Sequence, residues 1–513
     1  MKKIVAMGTA VALAASMFAA QPAANPQVLD FNGNASVEWG VDLDAGKTGF
    51  KNEQEASIKA KLFDGGDKAT SGDGVWAELK IVADTKDNEY KNEGDGSVNI
   101  KAPKVDTAKI HIYNFYVGIQ SGDTVTGEFK PQAAIVSDKA WLGNVGPEKF
   151  TQGLVFGYDD SNIAAAVDFR SLKDDSTQYT NAYAIAAEAT MKDANEWVEG
   201  LEVKGGVSYN LSKNYYKSDD GIATKAPVIA DIETDGKKVS VDNEIGYSTS
   251  VAYKVSLNDK YYVKPMAGFV GTVDKGKGMS WDYTKVSNEF VASVLFGWGA
   301  QADANAGVPF LDGDDAKKVT PGVSVVFTMP LPTKETMGSN DMSEYDSVIA
   351  KIVPSIYSGD IVDGLKFGAY SEIILMRDEA EDGSDYKKIP CVNKDRATAI
   401  AIAAGASYDV KAGDVTITTK AGARYANKAY VENEFIKEDD KGNEVGLFKN
   451  LGAAKDDEGY LNLKIGADIN GLLDNTTFFV NYTSANLLNE IDYTVDNYAV
   501  KAGTLNVGAK IHF

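Results

Sequence analysis

The last nine residues leave a chain like this few ways to fold. Leu505, Val507, Ala509, Ile511 and Phe513 alternate strictly with Asn506, Gly508, Lys510 and His512. A period of two puts every apolar side chain on one face of a β-strand and every polar one on the other. One strand cannot hide an apolar face alone, so this one requires a larger sheet whose outer side is equally apolar. Its length matches a tilted transmembrane strand, which takes about 9–11 residues.

The same pattern recurs along the chain. Ala35, Val37, Trp39, Val41 and Leu43 share one face of 34–43, and Ala56, Ile58, Ala60 and Leu62 one face of 55–64. Val75, Ala77, Leu79 and Ile81 repeat it in 75–84. In 108–119 the apolar parity switches around Asn114, which predicts a bulge. Further segments at 125–130, 152–158, 162–170, 181–191, 201–211, 244–255, 260–271, 290–298 and 319–329 follow. Those at 345–357, 364–375, 397–410, 414–425, 460–470 and 477–485 bring the total to about twenty. Helical periodicity is confined to 193–200 and 487–491.

The connections carry a second signal. Counted back from the C-terminus, the gaps 486–504, 426–459, 376–396, 330–344, 272–289, 212–243, 171–180, 131–151, 85–107 and 44–54 are the long set. Between them lie short ones such as 471–476, 411–413, 358–363, 256–259 and 159–161. The gap 299–318 breaks the rule, and predicts either a missed strand or an insertion in a turn. The expected fold is all-β: a transmembrane antiparallel β-barrel of about 20 strands (roughly 16–22), with long extracellular loops and short periplasmic turns. Only a closed barrel satisfies every backbone group in lipid without helices. A C-terminal strand stopping on Phe resembles the assembly signal of bacterial outer-membrane barrels, so Leu505, Val507, Ala509, Ile511 and Phe513 form the expected membrane-assembly strand.

Lys2, Lys3 and the apolar run 4–20 read as a secretory signal peptide cleaved near Ala20. The expected organisation is a signal peptide over 1–20, an N-terminal lead-in over 21–33 and the barrel over 34–513. No later uncharged apolar run reaches the roughly 20 residues of a membrane helix. A formal charge of −22 argues against a nucleic-acid partner.

Catalytic chemistry has little to work with. The single cysteine, Cys391, has no disulfide partner, and His111 and His512 are the only histidines. They cannot supply a Cys/His zinc site, and nothing marks a nucleophile for His111 to activate. Gly40, Gly46, Lys47 and Thr48 resemble a phosphate-binding loop, but five residues separate the glycines and Asp42 and Asp44 would repel the ligand. Acid-rich stretches at 84–96, 312–315, 378–385 and 438–444 lack the spacing of a calcium hand. The reading is a non-enzyme with no catalytic residue, no metal and no cofactor.

What remains is a pore. Alternation assigns Glu38, Lys59, Lys80, Glu202, Lys204 and Lys366 to the lumen, together with Glu372, Lys420, Arg424, Lys464, Asp468 and Lys510. A wall of both signs in so wide a barrel implies a large, weakly selective, water-filled channel for small hydrophilic solutes and ions. Unless a loop folds inward, with 212–243 the candidate by length, most wall charges lie beyond a Debye length of roughly 8 Å from the pore axis. The alternative function is a surface adhesin or structural sheath protein in which the barrel only anchors the loops.

The run 35–43 (Ala-Ser-Val-Glu-Trp-Gly-Val-Asp-Leu), with Gly46-Lys47-Thr48 and 49–53 after it, resembles the N-terminal signature of the treponemal major outer sheath protein family. The blocks 76–81, 108–113 and 116–119 continue the likeness, which is best over about 35–210. The resemblance implies a spirochaete outer-membrane, surface-exposed antigen that forms pores, adheres to host extracellular-matrix proteins and assembles as a homotrimer. It also implies a split into an N-terminal sheath region, about 34–211, and a C-terminal one, about 244–513, with the N-terminal part periplasmic. Strands before 210 are as amphipathic as later ones, which favours one continuous barrel in outer-membrane lipid.

Overall fold

The computed structural model describes residues 28–512 except 44–46, 63–74, 85–103, 121–130, 137–152, 172–182, 212–215, 218–222, 225–240, 278–281, 301, 304–307, 312–317, 338, 342–347, 360, 377–397, 433–436, 439–443, 446–458, 485 and 489–502. The expected signal peptide, the strand at 125–130, Cys391, Phe513 and most of the acid-rich stretches lie outside the described residues.

Twenty antiparallel strands close into one barrel. The first ten are β1 (Val28–Asp42), β2 (Lys47–Leu62), β3 (Val75–Asp84), β4 (Lys104–Ile112), β5 (Phe115–Gln120), β6 (Gly153–Asp159), β7 (Ile163–Ser171), β8 (Tyr183–Met191), β9 (Leu201–Leu211) and β10 (Val241–Tyr253). The second ten are β11 (Tyr262–Lys277), β12 (Asp282–Gly297), β13 (Gly322–Pro330), β14 (Val348–Tyr357), β15 (Leu365–Met376), β16 (Ala399–Ala412), β17 (Val415–Ala426), β18 (Tyr460–Asn470), β19 (Thr476–Thr483) and β20 (Thr504–His512). Each pairs with its neighbours in sequence, and β1 pairs with β20 to leave no edge, with Val37 opposite Ala509 and Trp39 opposite Val507.

Burial is inverted relative to a soluble sheet. Val37, Ile110, Phe156, Val251, Val294, Val325, Ile402, Ile465 and Val507 are exposed on the outside, while Glu202, Lys264, Glu289, Lys351 and Glu372 are buried within. That is the partition of a barrel solvated by lipid outside and by polar groups inside. Among the described residues no helix is long and apolar enough to cross a membrane. Strands from both expected sheath regions belong to the one closed sheet.

Four expectations are corrected. The switch at Asn114 is a hairpin, not a bulge: Tyr113 (φ 55°) and Asn114 turn the chain so that Ile112 faces Phe115 and His111 faces Tyr116. Strand pairing begins at Val28, six positions before the expected barrel start. The connections 43–46 and 278–281 are short although they lie on the long-loop rim. The gap 298–321 is an insertion, and its described residues 302–303, 308–311 and 318–319 lie in the bore rather than away from it.

Short turns are shaped by side chains that mimic backbone. In 192–200 the Asn195 carboxamide donates to the carbonyls of Lys192, Val198 and Leu201 and accepts from the N–H groups of Trp197 and Val198. Asp160 does the same for the 160–162 turn, accepting from Asn162 and Ile163.

Candidate functional site: the barrel lumen

Strand register places most of the expected lumenal residues beside partners. Lys59 stands opposite Lys80, and each like charge finds a carboxylate: Lys59 lies 3.1 Å from Glu78 and Lys80 3.0 Å from Asp106. Glu202 is shared by Lys204 at 2.5 Å and Lys264 at 2.6 Å, and Lys264 also reaches Asp193 at 3.3 Å. Glu372 pairs with Lys351 at 2.8 Å, and Lys420 with Asp468 at 2.5 Å. Lys366 and Lys420 flank Ser407 in register. Arg424 lies over the Phe310 ring, 4.4 Å from its centroid. Lys464 faces Gly422 and Thr483, Lys510 faces Ser36 and Thr477, and Glu38 faces Gly508. Buried ions in such pairs avoid the cost of an uncompensated charge.

Lys351 was not among the expected residues. It shares the inner face with Val353, Ser355 and Tyr357 by plain alternation, and the register shift on β14, between Val348 and Ala350, lies on its N-terminal side. Tyr430 was not anticipated either. It sits in a five-residue helical turn, Lys428–Glu432, and its hydroxyl donates to Glu372 Oε2 at 3.2 Å. Burial, and then the negative charge of Glu372, push this phenol well above its usual range, so it remains the donor.

Two further segments occupy the bore. Residues 131–136, carried from the long-loop rim after β5, lie against the inner wall of β12, β13 and β14. There the N–H groups of Gln132, Ala134 and Ile135 donate to the hydroxyls of Ser293, Ser324 and Ser355, one serine per strand, at 3.2, 2.8 and 3.4 Å. The insertion adds Ala302–Asp303 and Lys318–Val319, which form a three-stranded ladder with Ile135–Val136. Val308, Phe310 and Leu311, also from the insertion, are buried against β15, β16 and β17.

Three glycines in one row make that contact possible. Gly368, Gly405 and Gly422 are register partners across β15, β16 and β17. A Cβ on Gly368 would overlap Leu311, one on Gly405 the Pro309 carbonyl oxygen, and one on Gly422 would stand 2.8 Å from Pro309 Cβ. The wall around them is apolar where a water-filled lumen would be polar: Ile374, Met376, Ala399, Ala401 and Ala403 are all buried in the same cluster. Each large apolar side chain covered this way contributes about 1.5–3 kcal/mol as an upper estimate.

The inward segments are therefore 131–136 and the 298–321 insertion. Of 212–243, the loop proposed from length, only the ladder of Tyr216–Lys217 with Ala223–Thr224 and the start of β10 fall among the described residues. The signal for the true segments was present in the broken gap rule at 299–318 and in β16, where 399–406 reads apolar on both faces. Among the described residues no group of three or more His, Cys, Asp or Glu could hold a metal ion.

No family model matches the chain. Two curated proteins are similar to it over nearly its whole length. The major surface protein MspTL of Treponema lecithinolyticum is 27% identical, covering 94% of each chain. The major outer membrane protein MspA of Treponema maltophilum is 28% identical, covering 100% of each. Among solved structures, the trimer form of the Vibrio cholerae outer membrane protein OmpT aligns with 95% of this chain and 100% of its own, at a TM-score of 0.35 and 9% identity. OccK5 (OpdH) of Pseudomonas aeruginosa aligns with 94% and 98%, at 0.34 and 7%.

Proposed function

Because the chain is a homologue of treponemal major surface and outer membrane proteins over nearly its whole length, we propose that it is an outer-membrane porin that passes small hydrophilic solutes and ions by diffusion. The observation that carries this reading is the inverted partition: an apolar outer belt around an inner wall of paired charges and hydroxyls. An interior serving only as an anchor could be apolar throughout; ion pairs with exposed lysines on β2, β3 and β9 imply water beside them. Export by a cleaved leader, with the long connections facing outward, completes the topology.

Purified, folded protein in planar bilayers tests the reading. Stepwise conductance is expected, with swelling of proteoliposomes in small sugars; a folded protein that inserts without either result is not a porin. MspTL is a major surface protein, which supports surface exposure of the long connections, and a second role would have them meet host-matrix proteins. Such a role, with homotrimer assembly, extends the porin reading rather than replacing it, and chains lacking individual connections would separate binding from conductance.

A further inference from the structure

Among the described residues, the two inward segments do not fill the bore evenly. Both are seated on the inner wall of β12 to β17, and the solvation of the wall lysines follows that asymmetry. Side chains of Lys59, Lys80 and Lys204, on β2, β3 and β9, are 44%, 39% and 33% exposed. Those of Lys264, Lys351 and Lys420, on β11, β14 and β17, are 8%, 7% and 13% exposed, while Lys285, near the long-loop end of β12 and eight positions from Ser293, is 34% exposed. Water therefore reaches the lysines on β2, β3 and β9 more freely than those beside the seated segments.

The seating is built into the wall. The serine row satisfies backbone donors that would otherwise be buried without acceptors. The glycine row lets the backbone of Pro309 touch the sheet. Phe310 holds a left-handed φ of 62°, a conformation that a bulky residue keeps only when its surroundings over-determine it. Here Gly422 at the ring edge and Arg424 over its face do so.

Along the wall of β2, β3 and β9 the pairs held by Glu78, Asp106 and Glu202 present their cations, while at the short-turn rim Asp159 on β6, 58% exposed against 35% for Lys192, presents its carboxylate. The carboxylates of Glu78, Asp106 and Glu202 are 17%, 20% and 11% exposed, well below the lysines they hold. We propose that the seated segments confine transport to the passage walled by β1–β9, and that the lysine ammonium groups edging it make the pore prefer small anions, although the chain carries a net charge of −22. Narrowing is what makes these charges felt, since it brings the permeating ion within a Debye length of the wall. The proposal rests on the porin reading and adds to it the path and the solute class.

Reversal potentials of the full-length protein in a potassium chloride gradient test it, with heat-modifiable migration confirming that each variant is folded. The wild type should favour chloride, and Lys59→Glu/Lys80→Glu/Lys204→Glu should reverse the sign. Lys420→Gln, on the covered wall, should leave it in place. Phe310→Ser/Leu311→Ser, which unseats the insertion, should raise conductance several-fold and weaken the preference. Cation preference in the wild type, or no response to the triple reversal, overturns the proposal while leaving the porin. A current unchanged by unseating overturns the confined path. A folded wild type that inserts and carries no current overturns the porin reading itself, and the proposal with it.

Discussion

Val507 stands 43% exposed on β20, with Trp39 and Val480 as its register partners on the same outer face. Its neighbour Asn506 points inward opposite Gly40 and Asn481. Val507→Arg should cost about 2–4 kcal/mol if it lies near the bilayer midplane, and Asn506→Arg should be nearly silent, as measured by denaturant titration of folding into vesicles. Equal losses would contradict the assignment of faces. Asp160 offers a test of a different kind. Its carboxylate accepts from the N–H of Ile163 at 2.7 Å, the Tyr158 hydroxyl at 2.7 Å and the N–H of Asn162 at 2.8 Å. These donors, Ile163 foremost, hold it below the usual carboxylate range. A lowered pKa stabilises the folded turn above the unfolded value, about 3.9, and that contribution is lost as pH falls through the lower folded value. Amide protection at Asn162 and Ile163 should therefore decline on acidification in the wild type, and lose that pH dependence in Asp160→Asn.

At the scale of elements, β1 and β20 decide whether the sheet is a barrel or a ribbon. Ser36 and Lys510 are inward-facing register partners across that seam. Antiparallel partners have Cα atoms about 4.5–5.5 Å apart, within the roughly 4.4–6.8 Å that a disulfide spans. Ser36→Cys/Lys510→Cys in a Cys391→Ser background should cross-link on oxidation and run as a ring on non-reducing gels. Ser36→Cys/Asn506→Cys, four positions out of register, should not; comparable yields from the two would dismiss the seam. Alternation made β1, β3 and β20 legible from sequence because one face of each meets lipid and the other meets polar groups. It failed at β4 and β5, where a two-residue turn flips parity as a bulge would. It was ambiguous at β16, whose inner face is apolar because Val308 and Pro309 cover it.

For the whole molecule, the even number of strands puts both ends on the short-turn rim, with Asp414 on that rim and the connection 377–398 on the other. Cys391 should react with a membrane-impermeant maleimide on intact cells. A cysteine at Asp414, in a chain lacking Cys391, should react only after the outer membrane is breached. Asp414 suits the test better than Gly413, whose φ of 65° penalises any side chain. The opposite labelling pattern would invert the barrel. The expectation of a wide bore was conditional on no loop folding inward, and 131–136 together with the insertion remove that condition.

Local pattern alone is enough to specify an antiparallel barrel of about twenty strands with an apolar outside. Period-two alternation is a local property, and lipid demands it of every strand alike. Parity likewise assigns Lys59, Lys80, Glu202 and Lys204 to the face opposite the apolar one, since it needs no knowledge of distant residues. What lies inside depends on contacts between distant residues. The seat for the inward segments is written as Ser293, Ser324 and Ser355, one on each of three adjacent strands, and as Gly368, Gly405 and Gly422, one register row, residues far apart in sequence that strand pairing brings together. No local pattern announces that the 132–135 backbone will find those hydroxyls, because the contact spans 161 to 220 positions of chain. Which lysines remain in water is settled by where that seat lies, not by the residues beside them.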